Sequence, residues 1–180
     1  MILTTARLVL RPFTQEDWRD LHEYLSQNDV VLYEPYGVYT EEQSRDEALR
    51  RACDSSFWAV CLAQTGKVIG NVYFAQQQPV EFSNWELGYV FNSRYQKSGY
   101  ATEACRAVLG YGFTGCSVRR VCAMCNPLNT SSWRLLERLG FRREGHLIQN
   151  IFFKQDEYGE PIWCDTYEYA LLKEEWAANT

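Results

Sequence analysis

Gly88-Tyr89-Val90-Phe91-Asn92-Ser93-Arg94-Tyr95-Gln96-Lys97-Ser98-Gly99-Tyr100-Ala101-Thr102-Glu103-Ala104 decides the reading of this chain. Its first residues are apolar or aromatic and continue a strand pattern from Trp85. Residues 92–98 are polar. From Gly99 onward the period changes: Ala101, Ala104, Cys105, Val108 and Gly112 share one helical face, with Leu109 and Phe113 beside it. A strand therefore ends near Phe91, a short loop follows, and a helix starts at about Gly99. Glycine there permits a tight turn and the close approach of a ligand. The first N–H groups of the helix lack intrahelical partners and point outward. Together with the helix dipole they form an anion site, to which Lys97 adds charge. A pyrophosphate fits this description. Two common phosphate loops do not: no Gly-x-x-x-x-Gly precedes Lys97-Ser98, and Gly-x-Gly-x-x-Gly is absent.

Outward from this segment the elements alternate. Residues 7–11 open as a strand. Thr14, followed by Gln15-Glu16-Asp17, caps a helix carrying Trp18, Leu21, Tyr24 and Leu25 on one stripe. Thr40-Glu41-Glu42-Gln43 matches a capping box, which predicts a second helix to about Asp54. Residues 57–62 and 68–74 form a hairpin around Gln64-Thr65-Gly66. Gly88 inside the next strand marks a bulge or the close approach of another chain. Residues 120–125 return to strand, Asn129 caps a helix with Leu135, Leu136 and Leu139 inside, and Gly140 ends it. Two long strands, 141–154 and 163–172, close the chain around a turn at 156–161. The order is β-α-α-β-β-β-α-β-α-β-β. That is an α+β, or mixed α/β, plan with one continuous sheet of about seven strands and about four helices.

The chain has 180 residues, 46% hydrophobic and 23% charged, which fits one domain over residues 1–180. The 18 Lys+Arg against 23 Asp+Glu leave a net charge of -5, which disfavours a nucleic-acid binder. No apolar run is long enough for a membrane span, and residues 1–7 lack the pattern of a signal peptide, so the expected location is cytoplasmic. Seven cysteines are too few and too scattered for a disulfide framework. Cys122-Ala-Met-Cys125 lacks a second pair and a nearby histidine, so it reads as two small buried hydrophobes on opposite strand faces rather than a metal site.

Gln96-x-x-Gly99-x-Ala101 resembles the acetyl-coenzyme-A-binding signature of the GNAT superfamily of N-acetyltransferases. A second block, Asn129-Thr130-Ser131-Ser132-Trp133-Arg134-Leu135-Leu136-Glu137-Arg138-Leu139-Gly140-Phe141, resembles that family's helix near the cofactor. The ends, Arg7-Leu8-Val9-Leu10-Arg11-Pro12-Phe13 and Asp165-Thr166-Tyr167-Glu168-Tyr169-Ala170-Leu171-Leu172, are similar to the branch containing ribosomal-protein N-terminal (alanine/serine) acetyltransferases.

The resemblance implies a mostly antiparallel twisted sheet splayed between its fourth and fifth strands, with acetyl-coenzyme A as cosubstrate and no metal. Tyr89, Val90 and Phe91 would pair with the cofactor's amide-bearing arm. The pyrophosphate would lie on Gln96, Lys97, Ser98, Gly99, Tyr100, Ala101 and Thr102. Asn129 and Ser132 would meet the pantetheine end, and Lys97 or Arg134 the adenosine 3′-phosphate. The tyrosine that many relatives use as proton donor to sulfur is replaced by Leu136. The branch has a serine near the helix start instead, which Ser132 matches, so Ser132 is the expected donor or thiolate stabiliser; Tyr89, Tyr95 and Tyr100 are other candidates.

Glu86, on the strand leading to the loop and on the face opposite Leu87, is the expected base; an acid on a partly buried strand gains a raised pKa. Asp165 and Glu168 are weaker candidates. The expected acceptor is a small-molecule or protein amine, and the expected assembly a monomer or homodimer. The missing tyrosine leaves open a non-catalytic acyl-coenzyme-A sensor or interaction module on the same fold.

Overall fold

The structure is a computed structural model and describes residues 1–178. Eight strands form one sheet: β1 (Leu3–Thr4), β2 (Leu8–Pro12), β3 (Phe57–Leu62), β4 (Val68–Gln76), β5 (Asn84–Phe91), β6 (Arg120–Cys125), β7 (Arg142–Gln155) and β8 (Pro161–Leu172). Their order in space is β1-β2-β3-β4-β5-β6-β8-β7. Every neighbouring pair is antiparallel except β5 and β6. Five helices accompany them: α1 (Trp18–Leu25), α2 (Glu41–Ala52), α3 (Tyr100–Gly115), α4 (Thr130–Arg138) and α5 (Lys173–Ala178). The sheet thus has one strand more than the sequence suggested, the two-residue β1, and α5 is an additional helix.

Local chemistry explains the boundaries. At the start of α2, the Thr40 N–H donates to Gln43 Oε1 at 2.9 Å and the Gln43 N–H to Thr40 Oγ1 at 3.2 Å, the reciprocal pair of a capping box. Before α1 the chain first makes a single 3-10 turn, Gln15–Asp17, where Asp17 accepts from the Thr14 N–H at 2.8 Å. Gly66 takes φ +73° in the β3–β4 turn. Of the two readings of Gly88, a bulge or the close approach of another chain, the bulge is absent. The β4–β5 ladder runs unbroken through the Gly88–Tyr73 pair, and a Cβ there would meet Tyr73 Cβ at an ordinary 3.4 Å.

The sheet separates two cores. One contains Leu21, Tyr24 and Leu25 of α1 with Ala59, Val68 and Val90 of the sheet. The other contains Val108, Leu109 and Phe113 of α3 and Leu135 and Leu136 of α4 with Leu8, Val72, Phe74, Leu87 and Phe91. Each such large side chain contributes about 1.5–3 kcal/mol when buried. Gly112 lets α3 settle closely on the sheet: a Cβ there would fall 2.6 Å from Phe74 Cζ. Between α1, α2 and β4 lies Arg51, only 2% exposed. It donates to Glu47 at 2.7 Å and to Asn71 Oδ1 at 2.8 Å, and Tyr24 donates to the same Asn71 oxygen at 3.0 Å.

The crossover through α3 makes β5 and β6 parallel, as a strand–helix–strand unit requires. Their pairing covers only Asn84–Arg120, Trp85–Val121 and Glu86–Cys122. Beyond that point the strands diverge, so the splay falls between the strands expected to frame it. Cys122 and Cys125 are half-buried rather than buried, and all seven cysteines are free thiols.

Candidate active site

The loop before α3 is shaped by two residues with left-handed backbones, Lys97 at φ +60° and Gly99 at φ +82°. Successive turns of this kind make main-chain N–H groups converge into an anion-binding concavity. The first intrahelical bond runs from the Glu103 N–H to the Gly99 carbonyl at 3.0 Å. The amides of Tyr100, Ala101 and Thr102 precede it and lie at the helix's positive end.

Gln96, Asn92 and Arg7 help to hold the loop in place. Gln96 Nε2 donates to the Phe91 carbonyl at 3.1 Å, tying the loop back to the end of β5. Asn92, fully buried, accepts from the Arg94 N–H at 3.1 Å. Arg7, just before β2, donates to the Ser98 carbonyl at 3.0 Å and lies 4.5 Å over the Tyr100 ring. Arg7 also pairs with Glu103 at 2.7 Å. That pairing compensates the one acid in the first turn of α3, which would otherwise oppose an anion.

This loop opens into a cavity of about 640 Å³ bordered by the divergent end of β5 and the start of α4, with no β6 residue in its lining. Of the cofactor-binding residues expected from sequence, Tyr89, Val90 and Phe91 line it from β5. Gln96, Lys97 and Gly99 line it from the loop, Tyr100, Ala101 and Thr102 from α3, and Asn129 and Ser132 from the start of α4. Ser98 does not line it. Lys97, Arg134 and Arg138 bring three cations to the cavity of an acidic protein.

Across the splay from the loop, Asn129 caps α4, its Oδ1 accepting from the Ser132 N–H at 3.2 Å. The Tyr89 phenol reaches over from β5. Its oxygen lies 2.9 Å from Ser132 Oγ and 3.1 Å from the Ser132 carbonyl. Burial drives the Tyr89 phenol well above its ordinary value, so it stays protonated. Burial also pushes the Cys125 thiol up to about 11. Tyr89 and Ser132 therefore form a hydroxyl pair beside the cavity. Leu136 is wholly buried in the core.

Glu86 lies apart from this pair. It sits at the last position of β5 that pairs with β6, opposite Cys122, and accepts from Gln77 Nε2 at 2.9 Å. Burial raises its carboxyl above the usual range, but the side chain does not line the cavity. Asp165 is a partner of His146 at 2.8 Å on the β7–β8 pair. Glu168 on β8 pairs with Met124 of β6 and Gly145 of β7.

Glu34, an acid that the sequence reading did not single out within the acid-bearing loop 28–40, does line the cavity, with Asp29, Val30 and Tyr33 of the α1–α2 connection. Burial raises the Glu34 carboxyl, and hydrogen bonding from Tyr36 partly offsets the rise. This connection spans the mouth of the splay: Tyr33 donates to the Leu128 carbonyl at 3.3 Å, and Lys154 of β7 to the Leu32 carbonyl at 3.0 Å.

The splayed β5–β6 pair, the turn before α3 and the polar start of α4 meet at this one cavity. Residues 7–142 match the family described as acetyltransferase (GNAT) domain. The chain is 38% identical to the uncharacterized N-acetyltransferase YnaD of Bacillus subtilis, over 98% of this chain and 99% of that protein. It is 30% identical to the [ribosomal protein uS5]-alanine N-acetyltransferase of Escherichia coli, over 97% and 92%. A GNAT-family acetyltransferase structure from Bacillus anthracis superposes with a TM-score of 0.87 at 37% identity, covering 97% of this chain and 99% of the other. The chain belongs to the GNAT family of N-acetyltransferases, enzymes that use acetyl-coenzyme A and act on amine acceptors. No helix among the described residues is long and apolar enough to cross a membrane.

Proposed function

We propose that the chain acts as one cytoplasmic domain that moves an acetyl group from acetyl-coenzyme A to a primary amine by direct transfer. One observation carries this reading: the amide-lined turn at α3, the divergent edge of β5 and the Tyr89–Ser132 pair all open into the same cavity. The amides of residues 97–102 would hold the pyrophosphate, and the main chain of Tyr89 to Phe91 the amide-bearing arm. Lys97 and Arg134 would meet the 3′-phosphate. The bound thioester supplies an activated acetyl carbon.

Ser132 stabilises the sulfur as the carbon–sulfur bond breaks. Glu86, which stands outside the cavity lining and whose carboxylate burial makes more basic, accepts the ammonium proton through water; an alkyl ammonium near pKa 10 must lose it before attack. Glu34 and Tyr33 would receive the acceptor, a small-molecule amine or a protein N-terminus. The uS5-alanine relative favours the latter class, and the acid in the cavity suits any cationic amine.

Leu136, standing where many relatives carry a tyrosine, supports a second reading: an acyl-coenzyme-A sensor without turnover. Titration calorimetry with coenzyme A, followed by thiol-release assays over amines and peptides, separates the two. Binding with turnover of any amine supports the enzyme, binding without turnover the sensor. Absence of binding refutes both.

A further inference from the structure

We propose that Tyr89 is a positioning residue: its phenol fixes the Ser132 hydroxyl so that the serine proton points into the cavity, toward the sulfur of the departing thiol. The inference rests on the acetyl-transfer reading above. Tyr89 lies on the part of β5 that has left β6, so its side chain can cross to the first turn of α4. A helical serine usually turns its hydroxyl back to a carbonyl one turn earlier. Here those carbonyls are engaged. The Asn129 carbonyl takes the N–H groups of Ser132 and Trp133, at 3.1 and 3.3 Å. The Leu128 carbonyl takes the Thr130 N–H at 2.9 Å and the Tyr33 hydroxyl at 3.3 Å.

The phenol has one proton and two acceptors, Ser132 Oγ at 2.9 Å and the Ser132 carbonyl at 3.1 Å. Donation to Oγ leaves the serine proton for an acceptor on the far side. An anion developing there selects this arrangement, because the two O–H dipoles then point the same way and polarise each other. No bond breaks at Tyr89 or Ser132. The electron pair of the broken carbon–sulfur bond stays on sulfur, stabilised by the Ser132 hydrogen bond, until sulfur takes up the proton released by the amine.

The test follows the thiol pKa of bound coenzyme A by ultraviolet difference titration, alongside steady-state kinetics. Tyr89→Phe and Ser132→Ala should each raise the bound thiol's pKa and lower kcat roughly tenfold, with KM for acetyl-coenzyme A unchanged. The double variant should be no worse than Ser132→Ala alone, since the phenol acts only through the serine. A ring-fluorinated tyrosine at position 89 keeps the packing and makes a stronger donor, so it should lower the thiol pKa below the wild-type value. A thiol pKa that ignores the fluorinated residue, or additive losses in the double variant, would overturn the inference while leaving acetyl transfer intact. A wild-type protein that does not bind coenzyme A would overturn both.

Discussion

In the proposed pyrophosphate site Gly99 would act in two ways, by its backbone conformation and by leaving space, and a matched pair of substitutions separates them from charge. Its φ of +82° is strained for residues with a Cβ, at about 1–2 kcal/mol, with asparagine among the more tolerant. A Cβ there would stand 3.3 Å from Arg7 Nη2, the mobile end of a long side chain that can give way. Gly99→Asn should therefore fold and weaken coenzyme A only a few-fold.

Gly99→Asp has the same shape plus a negative charge. At roughly 5 Å from a bound anion, the repulsion is about 3 kcal/mol at an effective dielectric of 20 and about 1 kcal/mol in water. Gly99 is exposed and Arg7 lies beside it, so the cost falls between these limits, about 2 kcal/mol. Aspartate should thus bind roughly 30-fold more weakly than asparagine. Titration calorimetry with coenzyme A at low and high salt measures the ratio, which should shrink as salt screens the charge. Equal affinities for the two variants, or a ratio independent of salt, would refute the assignment of this turn to the pyrophosphate.

Glu86→Gln should lower kcat about 100-fold and remove the acidic limb of the pH–rate profile. It should also raise the melting temperature at neutral pH. Burial raises the Glu86 pKa, so its stabilising contribution is complete below the unfolded value of about 4.5 and is lost as pH rises through the folded value. A purely structural Glu86 would give lower stability and an unchanged profile. Arg51→Met should cost about 2 kcal/mol in urea unfolding, because it removes the buried bonds to Glu47 and Asn71 and leaves Glu47 with Arg50 and Asn71 with Tyr24. Burial opposes ionisation of Glu47, yet its Arg50 and Arg51 partners lower the pKa overall. The resulting stability is present above about 4.5 and lost as pH falls through the lowered value, so the variant should also flatten the acid side of the stability curve. Glu34→Gln should raise KM for a cationic acceptor roughly tenfold while leaving coenzyme A affinity alone; calorimetry and initial rates check both halves.

Elements with a clear period were legible in the sequence. The amphipathic stripe of α1, the capping box of α2, the β3–β4 hairpin and the strand–loop–helix around Gly99 all fall where spacing and turn chemistry placed them. Elements too short to show a period were not: β1 has two residues and α5 has six.

The candidate site divides the same way. The loop at 96–102 and the Asn129–Ser132 cap are local patterns. Arg7 reads as a solvated cation at a strand end, and only tertiary folding carries it across 91 positions to Ser98. Glu34 lies in a connection without periodicity, and its burial depends on contacts to Leu128 and β7 that no local window contains. The reach of Tyr89 to Ser132 likewise exists only because β5 leaves β6 after Glu86.

Past Glu86, that divergence turns part of a β-sheet into a slot for a foreign backbone. A ligand carrying its own amides can occupy the slot as a surrogate strand, recognised through groups that every amino acid possesses. Such recognition scarcely depends on which side chains border the slot. With the donor and acceptor placed as proposed, exchanges around Asp29, Val30, Tyr33 and Glu34 would redirect the enzyme to a new amine while the acetyl donor stayed held as before, freeing the two halves of the reaction to evolve separately.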